Sequence, residues 1–196
     1  MIKKLLIIGD GGCGKTTFCR LINTNKFKSE YDPTIGYEVH TTGLLTNIGT
    51  ITMKIYDTAG QEKFGSLRDS IYESMDAAFI FFDLTSRITY THVINWHNDI
   101  RKKMGDNFPI VIIGNKSDLK ENIKVKARSI TYPKRKGIPY EEISVKDMIN
   151  LDKPFNHILC KLFNNNVKCI HKNEENEENE ENEENEENKE SKTNNY

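Results

Sequence analysis

A glycine-rich run, GDGGCGKTT, occupies residues 9–17 and carries the clearest chemical signal in the chain. It fits the pattern G-x-x-x-x-G-K-[ST], in which Gly14 is followed by Lys15 and Thr16. Backbone N–H groups of such a loop can turn toward a polyphosphate, and the lysine can reach the terminal phosphate oxygens. The threonine hydroxyl suits Mg²⁺, which prefers oxygen ligands. The run alone predicts an NTPase or a kinase, and a glycine-rich turn that binds nothing is the alternative.

The residues on either side of this loop provide the context that the motif needs. The apolar run Leu5-Leu6-Ile7-Ile8 precedes it and reads as a fully buried parallel strand. A helical pattern follows, with Phe18, Leu21 and Ile22 on one face. Strand, loop and helix in this order place a helix N-terminus, with its partial positive charge, at the phosphates.

Two later segments carry the chemistry of a guanine base. Asn115-Lys116-Ser117-Asp118 follows a buried strand, and the Asp118 carboxylate can accept from both the N1–H and the exocyclic amino group of guanine. Adenine lacks that pair of donors, so a single carboxylate confers specificity. Ser144-Val145-Lys146 follows the last predicted strand, where a backbone N–H can donate to the guanine O6. Either segment alone could be an ordinary turn.

Two further segments can serve the γ-phosphate and the metal. Asp57-Thr58-Ala59-Gly60 offers a carboxylate to Mg²⁺ and a glycine N–H to the γ-phosphate. Thr34, in a polar loop, can supply a second hydroxyl to the metal if that loop closes over the nucleotide. A capping turn and a plain loop hydroxyl are the alternatives. Five motifs in order, each near the end of a predicted strand, together indicate a GTP site.

Strand and helix patterns alternate along the rest of the chain. Five more strands are predicted, at Tyr37–Leu45, Ile51–Tyr56, Ala77–Phe82, Ile110–Gly114 and Tyr140–Ser144. Helices are predicted at about Leu67–Met75, Thr91–Met104 and Pro154–Phe163. The short separation of the second and third strands makes them an antiparallel hairpin on an otherwise parallel sheet. The alternation predicts an α/β domain with a mixed six-stranded sheet and helices on both faces.

The charge is divided unevenly along the chain. Residues 1–172 contain 26 Lys and Arg against 18 Asp and Glu, whereas residues 173–196 contain 2 against 11. Residues 173–188 repeat Asn-Glu-Glu, a period of three that fits neither a helix face nor a strand face. We therefore predict a domain over residues 1–172 and a disordered acidic tail over residues 173–196.

Cysteine usage and the chain ends predict a compartment. The four cysteines show no C-x-x-C spacing, and nothing at the N-terminus resembles a signal peptide, so a reducing, intracellular environment is expected. The apolar runs are far shorter than the ~20 residues of a membrane span. No prenylation box or myristoylation signal is found, so no membrane anchor is expected.

These motifs resemble those of the Ras superfamily of small GTPases, and within it the Ran family of nuclear-transport GTPases. The resemblance covers about residues 3–170. It is carried by GDGGCGKTTF at 9–18, DTAGQEKFGSLRD at 57–69, FDLTSRITYTHVINWHNDI at 82–100, GNKSDLK at 114–120, KVKARSITYPKRKGIPYEEIS at 124–144 and KPF at 153–155.

The resemblance implies the small-GTPase (G) domain of the P-loop NTPase class, which binds GTP and GDP with Mg²⁺ and hydrolyses GTP. In that reading Phe27 stacks on guanine, Tyr31 closes over the phosphates, and Gln61 orients the attacking water beside Lys15. The metal ligands are Thr16, Thr34 and Asp57. The nucleotide-binding set is Asp10, Gly11, Gly12, Cys13, Gly14, Lys15, Thr16, Thr17, Phe27, Tyr31, Thr34, Gly60, Asn115, Lys116, Asp118, Ser144, Val145 and Lys146.

The resemblance also implies partners and a location. These are importin-β-type receptors, exportins, Ran-binding proteins, a nucleotide exchange factor and a GTPase-activating protein, in nucleus and cytoplasm, with no direct contact to nucleic acid. The basic run Lys134-Arg135-Lys136 is a solvated face that can attract acidic segments. Trp96 is expected to pack, with a receptor contact as the alternative. Residues 26–34 contain no arginine that could act as a finger in cis, so hydrolysis is expected to be slow without an activating protein.

Several residues depart from the family pattern. Cys13 replaces a hydroxyl residue, Val145 stands where alanine is usual, and Pro33 resembles Ras more than Ran. The Glu-Asn repeat replaces the linker, C-terminal helix and short acidic end of Ran. Two other functions stay open: a Rab-like GTPase of vesicle traffic, which the lack of a C-terminal cysteine disfavours, and a GTP-binding scaffold without useful hydrolysis, which Gln61 disfavours.

Overall fold

The fold was analysed in a computed structural model, which describes residues 1–24, 27, 33–60, 72, 74–164 and 166–169. The predicted acidic tail at 173–196 lies outside the described residues. So does most of the helix predicted at Leu67–Met75, of which Tyr72, Ser74 and Met75 are described.

A mixed six-stranded sheet forms the centre of the domain, as predicted. Its order is β2-β3-β1-β4-β5-β6, in which only the β2–β3 pair is antiparallel. The central strands are apolar along their length, which is typical of parallel strands buried on both faces. The strands are β1 Ile2–Gly9, β2 Tyr37–Thr46, β3 Gly49–Thr58, β4 Ala77–Asp83, β5 Ile110–Asn115 and β6 Tyr140–Glu142.

The helices within the described ranges are α1 Lys15–Thr24, α2 Arg87–Met104, α3 Tyr132–Lys136 and α4 Lys153–Leu162. Helix α2 begins four residues before its predicted start, because the Thr89 hydroxyl accepts from the Asp83 N–H and donates to the Ser86 carbonyl. Those bonds join the end of β4 to the first turn of the helix. The five-residue helix α3 and two 3₁₀ turns at Lys120–Asn122 and Ala127–Ser129 were not predicted, since they are too short to show periodicity.

The helices cover both faces of the sheet, and strand β1 shows how. Its side chains alternate, so that Leu5 and Ile7 face α1 and α4, whereas Leu6 and Ile8 face α2. On the first face Phe18 of α1 is fully buried, stacked on Phe155 of α4 at 5.9 Å between ring centroids. This alternation puts the loop that follows β1 between two packed layers.

The end of the described chain is attached to the β2–β3 turn. Asn47 receives the Lys168 N–H on its side-chain oxygen and donates its own backbone N–H to the Lys168 carbonyl. Its amide nitrogen also donates to the Asn166 carbonyl. Gly49, with φ of 100°, closes this turn in a conformation that favours glycine.

The last strand is shorter than predicted. Strand β6 ends at Glu142, and Ser144 instead exchanges two backbone hydrogen bonds with Ile149. The residues between them form a closed loop, which holds Val145 and Lys146 at the edge of the sheet. Within the described ranges, no helix has both the length and the hydropathy to cross a membrane.

The Phe18 packing yields a stability prediction. Phe18→Ala removes a ring that also lies 5.2 Å from Phe81, and it should lower the free energy of unfolding by about 3–5 kcal/mol. Urea unfolding, followed by circular dichroism at one fixed nucleotide concentration, measures the change. Ile88→Ala, at a position 62% exposed, is the control and should change the value by less than about 0.5 kcal/mol. Equal losses in the two variants would contradict this account of the core.

Candidate nucleotide-binding site

A cavity of about 290 Å³ opens at the carboxyl ends of the parallel strands, where open α/β sheets bind ligands. Loops after β1, β3, β5 and β6 contribute to its wall. Its lining includes most of the predicted nucleotide set, namely Gly11, Gly12, Gly14, Lys15, Thr16, Thr17, Phe27, Thr34, Gly60, Asn115, Lys116, Asp118, Val145 and Lys146. The structure therefore brings together residues that are up to 135 positions apart in the sequence.

Lys15 is the buried cation of the site. Its ammonium donates to the carbonyls of Gly9 and Asp10, each at 2.8 Å, and the residue is only 5% exposed. Burial lowers its pKa from the ordinary lysine value, while Cys13 and Asp57 act in the opposite direction. Since α1 begins at Lys15, the helix N-terminus faces the same cavity and adds partial positive charge. This end of the cavity is suited to an anion.

Three side chains that carry oxygen atoms lie close together next to this anion-binding end of the cavity. The Thr16 hydroxyl donates to Asp57 Oδ2 at 2.5 Å and lies 2.9 Å from the Thr34 hydroxyl. Burial raises the pKa of Asp57, and the Thr16 hydrogen bond opposes that rise. Two hydroxyls and one carboxylate from three separate elements match the preference of Mg²⁺ for oxygen ligands. The residues present therefore fit the metal that the sequence predicts.

Gly60 packs directly on the phosphate loop. A Cβ built on it would lie 2.2 Å from the Gly11 nitrogen and 2.5 Å from the Asp10 carbonyl carbon, so only glycine fits there. The preceding residue, Ala59, donates its N–H to the Gly36 carbonyl at 2.9 Å. That bond joins the Asp57–Gly60 segment to the loop that contains Thr34.

Asn115 connects two walls of the cavity. Its amide nitrogen donates to the Cys13 carbonyl at 2.9 Å, and its oxygen accepts from the Val145 N–H at 3.2 Å. It is 2% exposed, and its amide would lie 2.4 Å from a Cβ on Gly14, which explains the glycine there. The bond from the Val145 N–H ties the Val145 backbone, in the segment predicted to contact the base, to the loop after β5.

The predicted base-recognition carboxylate is held in place from one side. Asp118 is half-buried, and its Oδ1 accepts from the Ser144 hydroxyl at 2.8 Å. The neighbouring Lys116 has a φ of 69° and pairs with Asp83, N to O, at 2.7 Å. These two contacts fix the backbone after β5, and Asp118 lines the cavity.

Asp10, a predicted nucleotide-binding residue, does not line the cavity. Its carboxylate points to α2, where one oxygen lies 2.6 Å from His92 Nδ1 and the other accepts from Trp96 Nε1 at 2.9 Å. Trp96 is 4% exposed, which confirms that it packs. The sequence reasoning missed this connection, because 82 and 86 residues separate the partners.

Some predicted residues lie outside the cavity lining or outside the description. Cys13 and Ser144 are fully buried behind it, and burial raises the pKa of the Cys13 thiol to about 11. Tyr31 and Gln61 lie outside the described residues. Three lining residues were not predicted: Arg20, Thr58 and Leu119. Arg20 lies four residues after Thr16 on α1, a helical spacing that could have indicated it.

A comparison with protein families agrees with this geometry. The model of the Ras family matches residues 4–164, which is most of the chain. The matched range contains the phosphate loop, the Asp57–Gly60 segment, the Asp118 loop and the Ser144 loop, all of which meet at the cavity. Sequence, fold and site thus agree, and the chain belongs to the Ras family of small GTPases.

Proposed function

We propose that this protein is a Ran-like switch, which binds GTP or GDP with Mg²⁺ in the cavity and binds transport receptors in its GTP state. The observation that carries the nucleotide part is that Asp118 and Lys15 line the same cavity. A carboxylate for guanine and a buried ammonium for phosphate thereby face a single ligand. Lys15 follows strand β1 and Asp118 follows strand β5, so the phosphates bind at the first loop and the base at the second.

At the base, Asp118 accepts from guanine while Ser144 holds the carboxylate in place. Phe27 is 41% exposed at the cavity and is available to stack on the ring. A backbone N–H of the Ser144–Lys146 segment supplies the donor for O6. A site with these partners rejects adenine, since its buried polar groups would be left without hydrogen bonds.

At the phosphates, the loop backbone and Lys15 bind oxygens, and Thr16, Thr34 and Asp57 hold Mg²⁺, which supplies charge neutralisation when bound. Gln61 orients the attacking water. No arginine occurs in residues 26–34, so an activating protein completes the site. In Ras the unaided rate is on the order of 10⁻⁴ s⁻¹ and rises about 10⁵-fold with such a partner.

The switch itself follows from contacts between two loops. The Gly36 carbonyl holds the Ala59 N–H, and the Thr34 hydroxyl meets Thr16, so the segments around Thr34 and Gly60 are coupled. A γ-phosphate that binds Gly60 and a metal that binds Thr34 therefore order both segments together, and hydrolysis releases both. Partners that touch either segment can distinguish GTP from GDP.

The transport role is supported by the residues that resemble Ran and by the charge of one surface. Lys124, Lys126 and Arg128 precede the Lys134–Lys136 run of α3 by a few residues, and all six basic residues are exposed. Such a surface attracts acidic receptor segments at distances within the ~8 Å screening length of physiological salt. We propose that the protein acts in nucleus and cytoplasm, with a domain at 1–172 and an acidic tail at 173–196.

The base-recognition role predicts the effect of Asp118→Asn. The amide keeps an oxygen for the Ser144 hydroxyl but loses the charged acceptor, which should weaken guanine nucleotide binding by about 1.5–3 kcal/mol, or roughly 10- to 150-fold. Xanthosine nucleotides, which carry a carbonyl at the position of the guanine amino group, should lose less affinity. Titration with fluorescent nucleotide measures both.

The matched control is Asp147→Asn, which removes an exposed carboxylate from the neighbouring loop and should leave affinity unchanged. Unaltered guanine affinity in Asp118→Asn would refute the base assignment.

The metal role predicts the effect of Thr16→Ala. The variant loses one of three oxygen ligands, so GTP affinity should fall by at least about tenfold with Mg²⁺ present and change much less in EDTA. Calorimetric titration with Mg²⁺ and in EDTA separates the contribution of the metal to GTP affinity from that of direct contacts with the nucleotide. Thr91→Ala, whose hydroxyl bonds only the Ile88 carbonyl of its own helix, serves as control. An equal loss in EDTA would show that Thr16 does not act through the metal.

The Ran-like role predicts selective receptor binding. An importin-β-type receptor should bind the GTP-loaded protein at least about tenfold more tightly than the GDP-loaded protein, which corresponds to about 1.4 kcal/mol of coupling. Surface plasmon resonance with both loaded forms measures the ratio, and a variant that ends at Lys172 tests the acidic tail. Tight GTP binding without receptor binding in either state would refute the transport role and leave the GTPase proposal intact.

A further inference from the structure

A second group of metal-ligating side chains lies just behind the candidate Mg²⁺ position. Cys19 of α1, His40 of β2 and Asp57 of β3 are all buried, and each offers a ligand atom within 4.8 Å of the others. In the described part of the chain this is the one cluster of three or more such residues. The sequence motifs use only Asp57, so Cys19 and His40 have no role in the nucleotide site.

The fold explains why these three side chains meet. Cys19 lies three residues after Thr16, so the two share the face of α1 that Asp57 contacts through the Thr16 hydroxyl. In the β2–β3 register His40 pairs with Ile55, two residues before Asp57, and so it shares the face of the sheet that carries Asp57. The cluster is therefore set by regular elements rather than by loops.

Two polar atoms in the cluster have no hydrogen-bond partner among the residues that the structure describes. They are His40 Nε2 and Asp57 Oδ1, in residues that are 8% and 0% exposed. The nearest recorded charge for His40 Nε2 is Glu38 Oε2 at 3.6 Å, which is too far for a hydrogen bond. Buried polar groups almost always have partners, so two such atoms beside a buried thiol indicate a ligand for them.

We propose that Cys19, His40 and Asp57 bind a divalent cation of the Zn²⁺ class, and that this cation withdraws Asp57 from the nucleotide-associated Mg²⁺. Sulfur, imidazole nitrogen and carboxylate oxygen are the ligands that Zn²⁺ takes in proteins, commonly three at a time with a fourth position open. Mg²⁺ is excluded from this set, since it prefers oxygen alone. The second half of the proposal rests on the proposed function.

The charges around the cluster favour a cation once the thiol is ionised. The charged side chains that act on Cys19 are Asp57, Lys15 and Glu38, which are two carboxylates against one ammonium. Burial raises the pKa of Cys19 well above its usual value, so the thiol is protonated in the metal-free protein. When the metal–sulfur bond forms, the S–H bond breaks and the proton leaves to solvent.

Cobalt(II), a spectroscopic substitute for Zn²⁺, provides the test. Adding Co²⁺ to the full chain, reduced with a non-thiol phosphine, should produce a thiolate-to-cobalt charge-transfer band in the near ultraviolet, which Zn²⁺ then abolishes. Carboxylates of the Glu-rich tail produce no such band. Cys19→Ala should remove it, and His40→Gln should weaken Co²⁺ binding by at least about tenfold.

Cys160→Ser is the matched control, because Cys160 is a half-buried thiol outside the cluster. It should keep the band and the affinity of the unaltered chain. Circular dichroism and the unfolding temperature show that each variant is folded, and two cluster variants keep the test usable if one does not fold. Absence of the band in the unaltered chain, or its persistence in Cys19→Ala, overturns the site.

Nucleotide release tests the coupling to Mg²⁺ separately. At fixed Mg²⁺, Zn²⁺ should accelerate release of a fluorescent GDP analogue from the unaltered chain and from Cys160→Ser, but not from Cys19→Ala. A cobalt band without faster release overturns the coupling. A chain that binds no guanine nucleotide would refute the proposed function, and the cobalt spectrum would still decide the metal site.

Discussion

The Asn115 side chain holds the nucleotide site together. The five parallel strands end at the same edge of the sheet, and the loops that follow them carry backbone polar groups that need partners. Asn115 meets that need for two loops at once, because it donates to the Cys13 carbonyl and accepts from the Val145 N–H. The phosphate loop and the base loop thus share one buried amide, and their spacing cannot change without breaking a hydrogen bond. A side chain at position 14 would clash with the Asn115 amide, so Gly14 is required there.

Asp10 provides a second connection, from the phosphate loop to the opposite layer. Its carboxylate is bound by His92 and Trp96, so α2 is fixed to the loop that precedes α1. Together with Asn115, this contact explains why a loop rich in glycine has one defined conformation. Backbone freedom lets the loop turn its N–H groups inward, and side chains from distant elements then remove the remaining freedom.

The sequence predicted the sheet well because buried parallel strands read as apolar runs, as Ile110–Asn115 does. It predicted the boundaries less well where a side chain decides them. The Thr89 hydroxyl starts α2 early, and the Ser144–Ile149 backbone pair ends β6 early. The motif residues of the site were predictable because chemistry fixes their types and spacing. Three other features were not predictable, since they depend on tertiary contacts between segments far apart in sequence. These are the partners of Asn115, the direction of the Asp10 carboxylate and the proximity of Cys19 to His40.

The attachment of residues 166–169 to the β2–β3 turn determines where any later part of the chain starts. That turn lies at Gly49, the first residue of β3, whereas the cavity lies at Thr58, the last. Ten residues of strand separate the two ends by about 30 Å. Everything after Cys169 is therefore rooted at the pole opposite the nucleotide entrance. A protein that contacts the chain at Lys168 or Cys169 therefore lies at that pole and leaves the cavity uncovered.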